Sequence, residues 1–158
     1  KTLYYSLFNS HLTYACQIWG QNEIKIQKLK SLQNKAMRVI KFKPPNHPVG
    51  ELYSASSILK IQDYIKVLNC LFVKDVLTNK SLKNFKNFFD KSDNTHHHNT
   101  RHSARNPVRL QNVKTTFYGT YSLKYQCAST WNQILSSIHN NLLQKSKPKF
   151  IKILNNIN

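Results

Sequence analysis

The acidic side chains of this chain are too few and too scattered to build a catalytic centre. Two-metal nucleotidyl transfer and nuclease chemistry need several carboxylates that converge on the ions. The 158-residue sequence has six acids, of which only Asp90 and Asp93 lie close together. Phosphate-binding loops need clustered glycines, whereas Gly20, Gly50 and Gly119 stand alone. We therefore expect this chain to perform no chemistry itself.

The cysteines are placed poorly for disulfides, metal binding or nucleophilic catalysis. Cys16, Cys70 and Cys127 are far apart, odd in number and surrounded by apolar residues. Neither a disulfide framework nor a CxxC zinc knuckle is available, so we expect reduced thiols in an intracellular protein. Spacing does not exclude a Cys and His pair, but each cysteine falls on a predicted buried face, which argues against one.

A histidine run lies in the polar stretch from 92 to 106. Imidazole binds zinc, so His96, His97, His98 and His102 raise a metal hypothesis. Neighbouring residues of an extended loop point apart, and no cysteine or carboxylate is spaced to complete a tetrahedral site. We expect this segment to bind neither a metal nor a cofactor.

The charge balance indicates a polyanionic partner. The chain has 24 lysines and arginines against its six acids, a formal charge of +18. Self-repulsion on that scale destabilises a compact chain unless a polyanion or counterions relieve it. The excess of lysine over arginine is typical of AT-rich coding, but such coding does not explain the scarcity of acids. Nucleic acid is the expected partner, and the alternative is a basic structural or protein-interaction module without a specific nucleic-acid role.

The densest positive charge follows residues 29–43, LKSLQNKAMRVIKFK. On a helical wheel one broad arc there is apolar, and the remaining arc is cationic. The apolar arc comprises Ile26, Leu29, Leu32, Ala36, Val39 and Ile40. The cationic arc comprises Lys28, Lys30, Lys35, Arg38 and Lys41. A helix docked through the first arc would present the second as a row of cations along a phosphate backbone.

Arginine is concentrated in a second region. Three of the four arginines, Arg101, Arg105 and Arg109, fall within nine positions. The planar guanidinium suits bidentate contacts with phosphate or guanine, and Arg-rich segments without helix commonly order on meeting RNA or DNA. A solvated loop is the alternative. We expect this loop to clamp a nucleic-acid strand.

Apolar spacing predicts a mostly α fold. A first helix over 3–19, stopped by Gly20, and the basic helix, stopped before Pro44, should form an antiparallel hairpin. A third helix is predicted from Ile61 to Val76, a fourth after Ser122 and a final one after Ser146. Between them, a loose alternation of apolar and polar residues over 108–117 favours one short strand or hairpin. The expected regions are a helical hairpin over 1–43, linker and scaffold helices over 44–91, the polar His/Arg loop over 92–120 and C-terminal helices over 121–158.

Two features of the sequence bear on its origin and location. It begins at Lys1 without an initiator Met and is amphipathic from its third residue, which predicts a piece of a longer polypeptide. Its uncharged runs, such as 67–73, are too short to cross a bilayer, and no signal peptide is evident. We therefore expect no membrane association.

Five segments, in this order, point to a family: LYYSLFNSHLTYACQIWG, LKSLQNKAMRVI, HHHNTR followed by RL, SLKYQCASTWNQIL, and SKPKFIKIL. Over nearly its whole length the chain resembles the region downstream of the polymerase core in reverse transcriptases of non-LTR retrotransposons, of the jockey and CR1 kind. The resemblance implies that 3–40 is similar to the thumb, which grips the template and primer duplex. The remainder is similar to the C-terminal region that helps to hold template RNA and target DNA. The catalytic palm would lie upstream in the same polypeptide, which implies a nuclear protein with a cytoplasmic ribonucleoprotein stage.

The resemblance also assigns individual positions. Those matching the thumb's basic helix are Gln33, Asn34, Lys35 and Arg38. Those matching the polar arginine motif are Asn99, Thr100 and Arg101, and those matching the late aromatic helix are Tyr125, Gln126, Trp131 and Asn132. The departures from the family pattern, which indicate a divergent or decaying copy, are His98, Cys127, Ala128, Gln133 and Ile134.

The candidate contacts with RNA, DNA or an RNA/DNA hybrid combine the charge pattern with the resemblance. They are Lys28, Gln33, Asn34, Lys35, Arg38, Lys41, Lys43, Asn99, Arg101, Arg105, Arg109, Lys114 and Lys124.

Overall fold

The computed structural model describes residues 2–90 and 107–137, and this part of the chain is mostly α-helical, which confirms the predicted fold class. Its helices are α1 (Ser10–Thr13), α2 (Cys16–Trp19), α3 (Glu23–Ile40), α4 (Gly50–Ser56), α5 (Ile61–Leu77) and α6 (Leu123–Ser137). Two π-helical segments, Tyr4–Asn9 and Thr116–Thr120, and a 3₁₀ turn at Lys83–Phe85 complete the set. The described residues divide into two compact units, one up to Ile65 and the other from Lys66 onward. Within the described ranges, no helix combines the length and the apolar character that spanning a bilayer requires.

The first helical segment is interrupted, so the prediction of one continuous helix over 3–19 is wrong. Tyr14 has an extended ψ of 118° and Ala15 a left-handed φ of 48°, which separate α1 from α2. Beyond the break Cys16, rather than Ala15, is buried. The indole Nε1 of Trp19 donates to the Tyr14 carbonyl at 2.7 Å, which stabilises the interruption. Apolar spacing alone does not reveal such a break, because the residues on either side keep a helical period.

The turn between α2 and α3 depends on Gly20 and Asn22. The Gly20 N–H donates to the Cys16 carbonyl at 2.8 Å, and a Cβ at position 20 would collide with that oxygen. The Asn22 side chain accepts hydrogen bonds from the N–H groups of Ile24 and Lys25, at 3.0 and 3.3 Å, and so caps α3. The predicted helix stop at Gly20 is confirmed.

The buried side of α3 differs from the predicted apolar arc. Ile26, Gln33 and Met37 are buried, whereas Leu32 is 52% and Val39 is 72% exposed. The predicted arc was centred wrongly because a polar residue, Gln33, occupies the middle of the buried stripe. The core cluster that this stripe joins comprises Tyr4, Met37, Leu52, Tyr53 and Ile58, with Phe8, Ile40 and Val49 partly buried against it.

Gln33 is the polar centre of residues 1–65. Its side-chain carbonyl accepts the N–H of Ile61 at 2.9 Å. Its amide donates to the Tyr4 hydroxyl at 2.6 Å and to the Leu59 carbonyl at 3.0 Å. The side chain is 1% exposed, so these bonds form away from water. One amide therefore ties α3 to the first helical segment and to the start of α5.

In the second unit, residues 78–90 form a loop anchored by phenylalanines. The rings of Phe85, Phe88 and Phe89 lie 5.3, 5.8 and 5.8 Å from the ring of Phe72. The edge-on geometry of these pairs is the favoured arrangement for aromatic rings. This stretch of the chain therefore forms a loop with one 3₁₀ turn and no continuous helix.

The predicted strand or hairpin over 108–117 is wrong, since Val108 makes one isolated bridge and Thr116–Thr120 is helical. Instead, the side chain of Asn132 in α6 bonds to both backbone groups of Val108. Its NH₂ group donates to the Val108 carbonyl at 2.8 Å, and its oxygen accepts the Val108 N–H at 3.3 Å. A side-chain clamp thus replaces the pairing of a neighbouring strand. The hydroxyl of Ser122 accepts the N–H of Tyr125 at 3.3 Å, which confirms the predicted N-cap.

We expect Gln33→Leu to lower the free energy of unfolding by about 2 to 4 kcal/mol, because it leaves buried partners of the amide without a hydrogen bond. Gln27→Leu, on the exposed side of the same helix, is the matched control and should change stability by about 0.5 kcal/mol or less. Urea denaturation followed by circular dichroism measures both. Equal stabilities of the two variants would contradict the role assigned to Gln33.

Candidate nucleic-acid interface

The side of α3 opposite Gln33 alternates lysines with apolar side chains. Lys28, Leu32, Lys35 and Val39 are spaced by four, three and four residues, so they form one stripe along the helix. All four are exposed, and we call them the outer stripe. Lys28 and Lys35 lie about two turns, roughly 10.5 Å, apart along the helix axis. The outer stripe therefore presents fixed positive charge and apolar surface together.

The C-terminal end of α3 continues this exposed surface with Lys41, Phe42 and Lys43. The N–H of Phe42 donates to the Val39 carbonyl at 3.1 Å, and the N–H of Lys43 donates to the Arg38 carbonyl at 2.9 Å. This pair of bonds defines a Schellman motif, in which the residue with positive φ is usually glycine. Here it is Phe42, with a φ of 52°.

Three of the predicted contact residues on α3 have partners inside the protein. Gln33 is buried, so its side chain is not available to a ligand in this conformation. Asn34 accepts the hydroxyl of Tyr53 at 2.9 Å, and the Nε of Arg38 donates to the His47 carbonyl at 3.0 Å. Burial raises the pKa of Tyr53, which keeps its hydroxyl protonated as the donor to Asn34. Asn34 and Arg38 are half-buried and are positioned by these bonds.

The second unit contains the remaining described candidates. Arg109 and Lys114 are exposed. The Nζ of Lys124 lies 3.9 Å from a carboxylate oxygen of Asp90 and 5.7 Å from the centre of the Phe88 ring. Asp90 also accepts the N–H of Arg109 through its main-chain carbonyl at 2.9 Å. The charge of Lys124 is therefore partly offset, whereas the side chains of Arg109 and Lys114 face solvent.

The other predicted contacts, Asn99, Arg101 and Arg105, lie outside the described residues, as do His96–98 and His102. The hypotheses about that loop remain predictions. Within residues 2–90 and 107–137, no three histidine, cysteine or acidic side chains come together in a way that could hold a metal ion.

The three thiols are buried in apolar surroundings. Cys16 is 1% exposed, and Cys70 and Cys127 are 0% exposed. Burial raises the pKa of Cys16, and it raises those of Cys70 and Cys127 to about 12. The thiolate is the nucleophilic form, so these cysteines are inert near neutral pH.

Sequence patterns missed Phe42 as a functional candidate. Its signal was available: an aromatic residue stands between Lys41 and Lys43, two residues before Pro44, where a helix must end and no glycine is present to end it. An aromatic residue flanked by cations at a predicted helix end is the pattern that distinguishes it.

No protein-family model, curated protein or solved structure matches this chain.

We expect Arg38→Ala to destabilise the protein by about 1 kcal/mol, because the His47 carbonyl loses a charge-assisted hydrogen bond and the aliphatic stem of the arginine loses its packing. Lys35→Ala removes one exposed cation from the same helix and should be neutral within about 0.5 kcal/mol. Chemical denaturation of both variants measures the difference. A larger loss for Lys35→Ala would contradict the anchoring role of Arg38.

We expect the three thiols to resist Ellman's reagent at pH 8 in the folded protein and to react fully after denaturation. The raised pKa values of Cys70 and Cys127 stabilise the fold below about pH 9, the ordinary thiol value, and this contribution is lost as pH rises toward the folded values of about 12. Labelling should therefore accelerate with pH over that window. Rapid native labelling at pH 8 would contradict the burial of the thiols.

Proposed function

We propose that this chain is a non-catalytic nucleic-acid-binding segment of a non-LTR retrotransposon reverse transcriptase, with α3 acting as the basic helix of a thumb. The observation that supports it best is the outer stripe, where Lys28 and Lys35 are exposed on a helix whose opposite side is fixed by the core. The sole acid of α3, Glu23, lies in its first turn, five residues before Lys28 and twelve before Lys35, so neither lysine stands at the three- or four-residue spacing of a helical ion pair. The lysines of the stripe are therefore not neutralised within their own helix.

In this proposal α3 lies along the minor-groove side of an RNA/DNA hybrid. Lys28 and Lys35 contact phosphates of one strand, and Lys41 and Lys43 extend the row beyond the end of the helix. Lysine acts as a point charge without a fixed fork of donors, so these contacts position the duplex without reading its sequence. The arginine loop holds a second strand of RNA or DNA. Catalysis belongs to polymerase domains upstream in the same polypeptide. The whole protein then acts in the nucleus after a cytoplasmic ribonucleoprotein stage.

A specific observation favours a second candidate, a protein-interaction module. Residues 1–65 expose several large apolar side chains besides those of the outer stripe. Besides Tyr5 and Phe42 they are Leu3, Leu7, Tyr14, Ile18 and Ile24, exposed by 65, 68, 81, 72 and 71%. Exposed apolar surface commonly marks protein contacts. Binding of an unrelated polyanion such as heparin as tightly as a hybrid duplex would favour this candidate.

We expect the double variant Lys28→Glu, Lys35→Glu to bind an RNA/DNA hybrid at least about tenfold more weakly at low salt. Loss of two phosphate contacts should also reduce the slope of log affinity against log salt by about 2. Helicity should be unchanged, because both side chains are exposed. Fluorescence anisotropy over a salt series measures affinity and slope, and circular dichroism measures helicity.

The matched control is Lys80→Glu, Lys86→Glu, which makes the same change in net charge at exposed loop positions of the second unit. Under the proposal this control weakens binding of the hybrid less than the α3 variant does, and it leaves the slope of log affinity against log salt nearly unchanged. Equal losses in the two double variants would show that only net charge matters. Unchanged affinity in the α3 variant would contradict the proposed interface.

A further inference from the structure

Phe42 is unusually exposed for a large apolar residue. Its side chain is 96% exposed, the highest value among the described large hydrophobics. Burial of a phenylalanine is among the larger stabilising contributions that a single side chain makes to a fold. Phe42 makes no such contribution within residues 1–65. Packing within this unit therefore does not account for a phenylalanine at this position.

The backbone at Phe42 is also strained. The ends of α4 and α5 have the same pair of backbone hydrogen bonds. The N–H groups of Ser57 and Asn79 donate to the carbonyl three residues earlier, at 3.2 and 3.1 Å. The N–H groups of the next residues, Ile58 and Lys80, donate to the carbonyl five residues earlier. Ser57 and Asn79 also have positive φ, 50° and 54°. All three residues bring a Cβ against the backbone in this conformation, but asparagine can offset the cost with local hydrogen bonds of its side chain, and phenylalanine is the bulkiest of the three. Strain of this kind, without any gain in packing, indicates a functional position.

The surroundings of Phe42 are cationic and fixed. Lys41 and Lys43 flank it, and both are exposed. The N–H of Lys43 is held by the Arg38 carbonyl, and the Arg38 side chain is held in turn by the His47 carbonyl. The ring is thus presented from a backbone that is already ordered. Proteins that bind single strands combine such aromatic platforms, on which bases stack, with positive charge that follows the backbone.

We propose that Phe42 is a stacking platform for one unpaired base of an RNA or DNA strand, with Lys41 and Lys43 on the adjoining phosphates. The inference rests on the proposed nucleic-acid function of α3 and deepens it. The lysines of the outer stripe hold the duplex, and Phe42, at the end of the same helix, receives a base where the strand leaves the duplex. Stacking accepts every base, so the site has little sequence preference.

The test separates single-strand binding from duplex binding. Phe42→Gly should weaken binding of a mixed-sequence single strand about tenfold, the loss of one stacked base, and leave a blunt hybrid duplex unaffected. The same variant should raise the melting temperature, because glycine adopts the positive φ without strain. Phe42→Trp should retain the affinity, and single strands should quench its added fluorescence. RNA and DNA strands of one sequence, tested in parallel, report which is preferred.

Tyr14→Ala is the matched control, because Tyr14 is an aromatic residue that is 81% exposed and has no neighbouring lysine. It should bind both ligands as the wild type does. Unchanged single-strand affinity in Phe42→Gly, or an equal loss for duplex and single strand, would overturn the stacking site. A wild type that binds the duplex but no single strand would overturn this inference alone. A wild type that binds neither would overturn the proposed function as well.

Discussion

The rotation of α3 is set by the buried amide of Gln33, and the character of the exposed surface follows from it. The amide bonds three groups from two other segments, at Tyr4, Leu59 and Ile61. A buried polar group left unpaired costs about 1 to 3 kcal/mol. Rotation of α3 about its own axis would therefore destabilise the fold. The residues opposite Gln33 consequently stay exposed to solvent. Exposure of the outer stripe is a consequence of this polar contact as much as of apolar packing.

The two ends of α3 are fixed by different means. Asn22 caps the first turn with its side chain, whereas the last turn closes through the strained backbone at Phe42. Arg38 links that last turn to the following corner at His47, so a cation that could have faced a ligand instead stabilises the end of the helix. Rigidity and ligand contact thus compete for the same basic side chains. The exposed lysines of α3 remain available for binding, whereas the side chain of Arg38 is partly occupied in stabilising the end of the helix.

The sequence predicted the elements whose signals are local. Spacing and the proline pair placed α3, spacing placed α5, and Gly20 and Ser122 marked true helix boundaries. Features that depend on distant partners were missed. Because the polar Gln33 lies in the middle of the buried stripe, a helical wheel centred on the apolar residues predicts that Leu32 and Val39 are buried. The hairpin over 108–117 failed for a similar reason, because its backbone groups at Val108 are satisfied by a side chain from α6.

The number of exposed cations limits how strongly α3 could bind nucleic acid alone. Lys25, Lys28 and Lys35 on the helix and Lys41 and Lys43 beyond its end offer five, which would give a salt slope of at most about −4.5 for a duplex. Leu32 and Val39 occupy the other positions of the outer stripe. Backbone contacts of this type give weak, sequence-independent affinity. Under the proposed function, precise placement of a strand then comes from groups outside the stripe, and Phe42, just beyond the end of α3, is one of them.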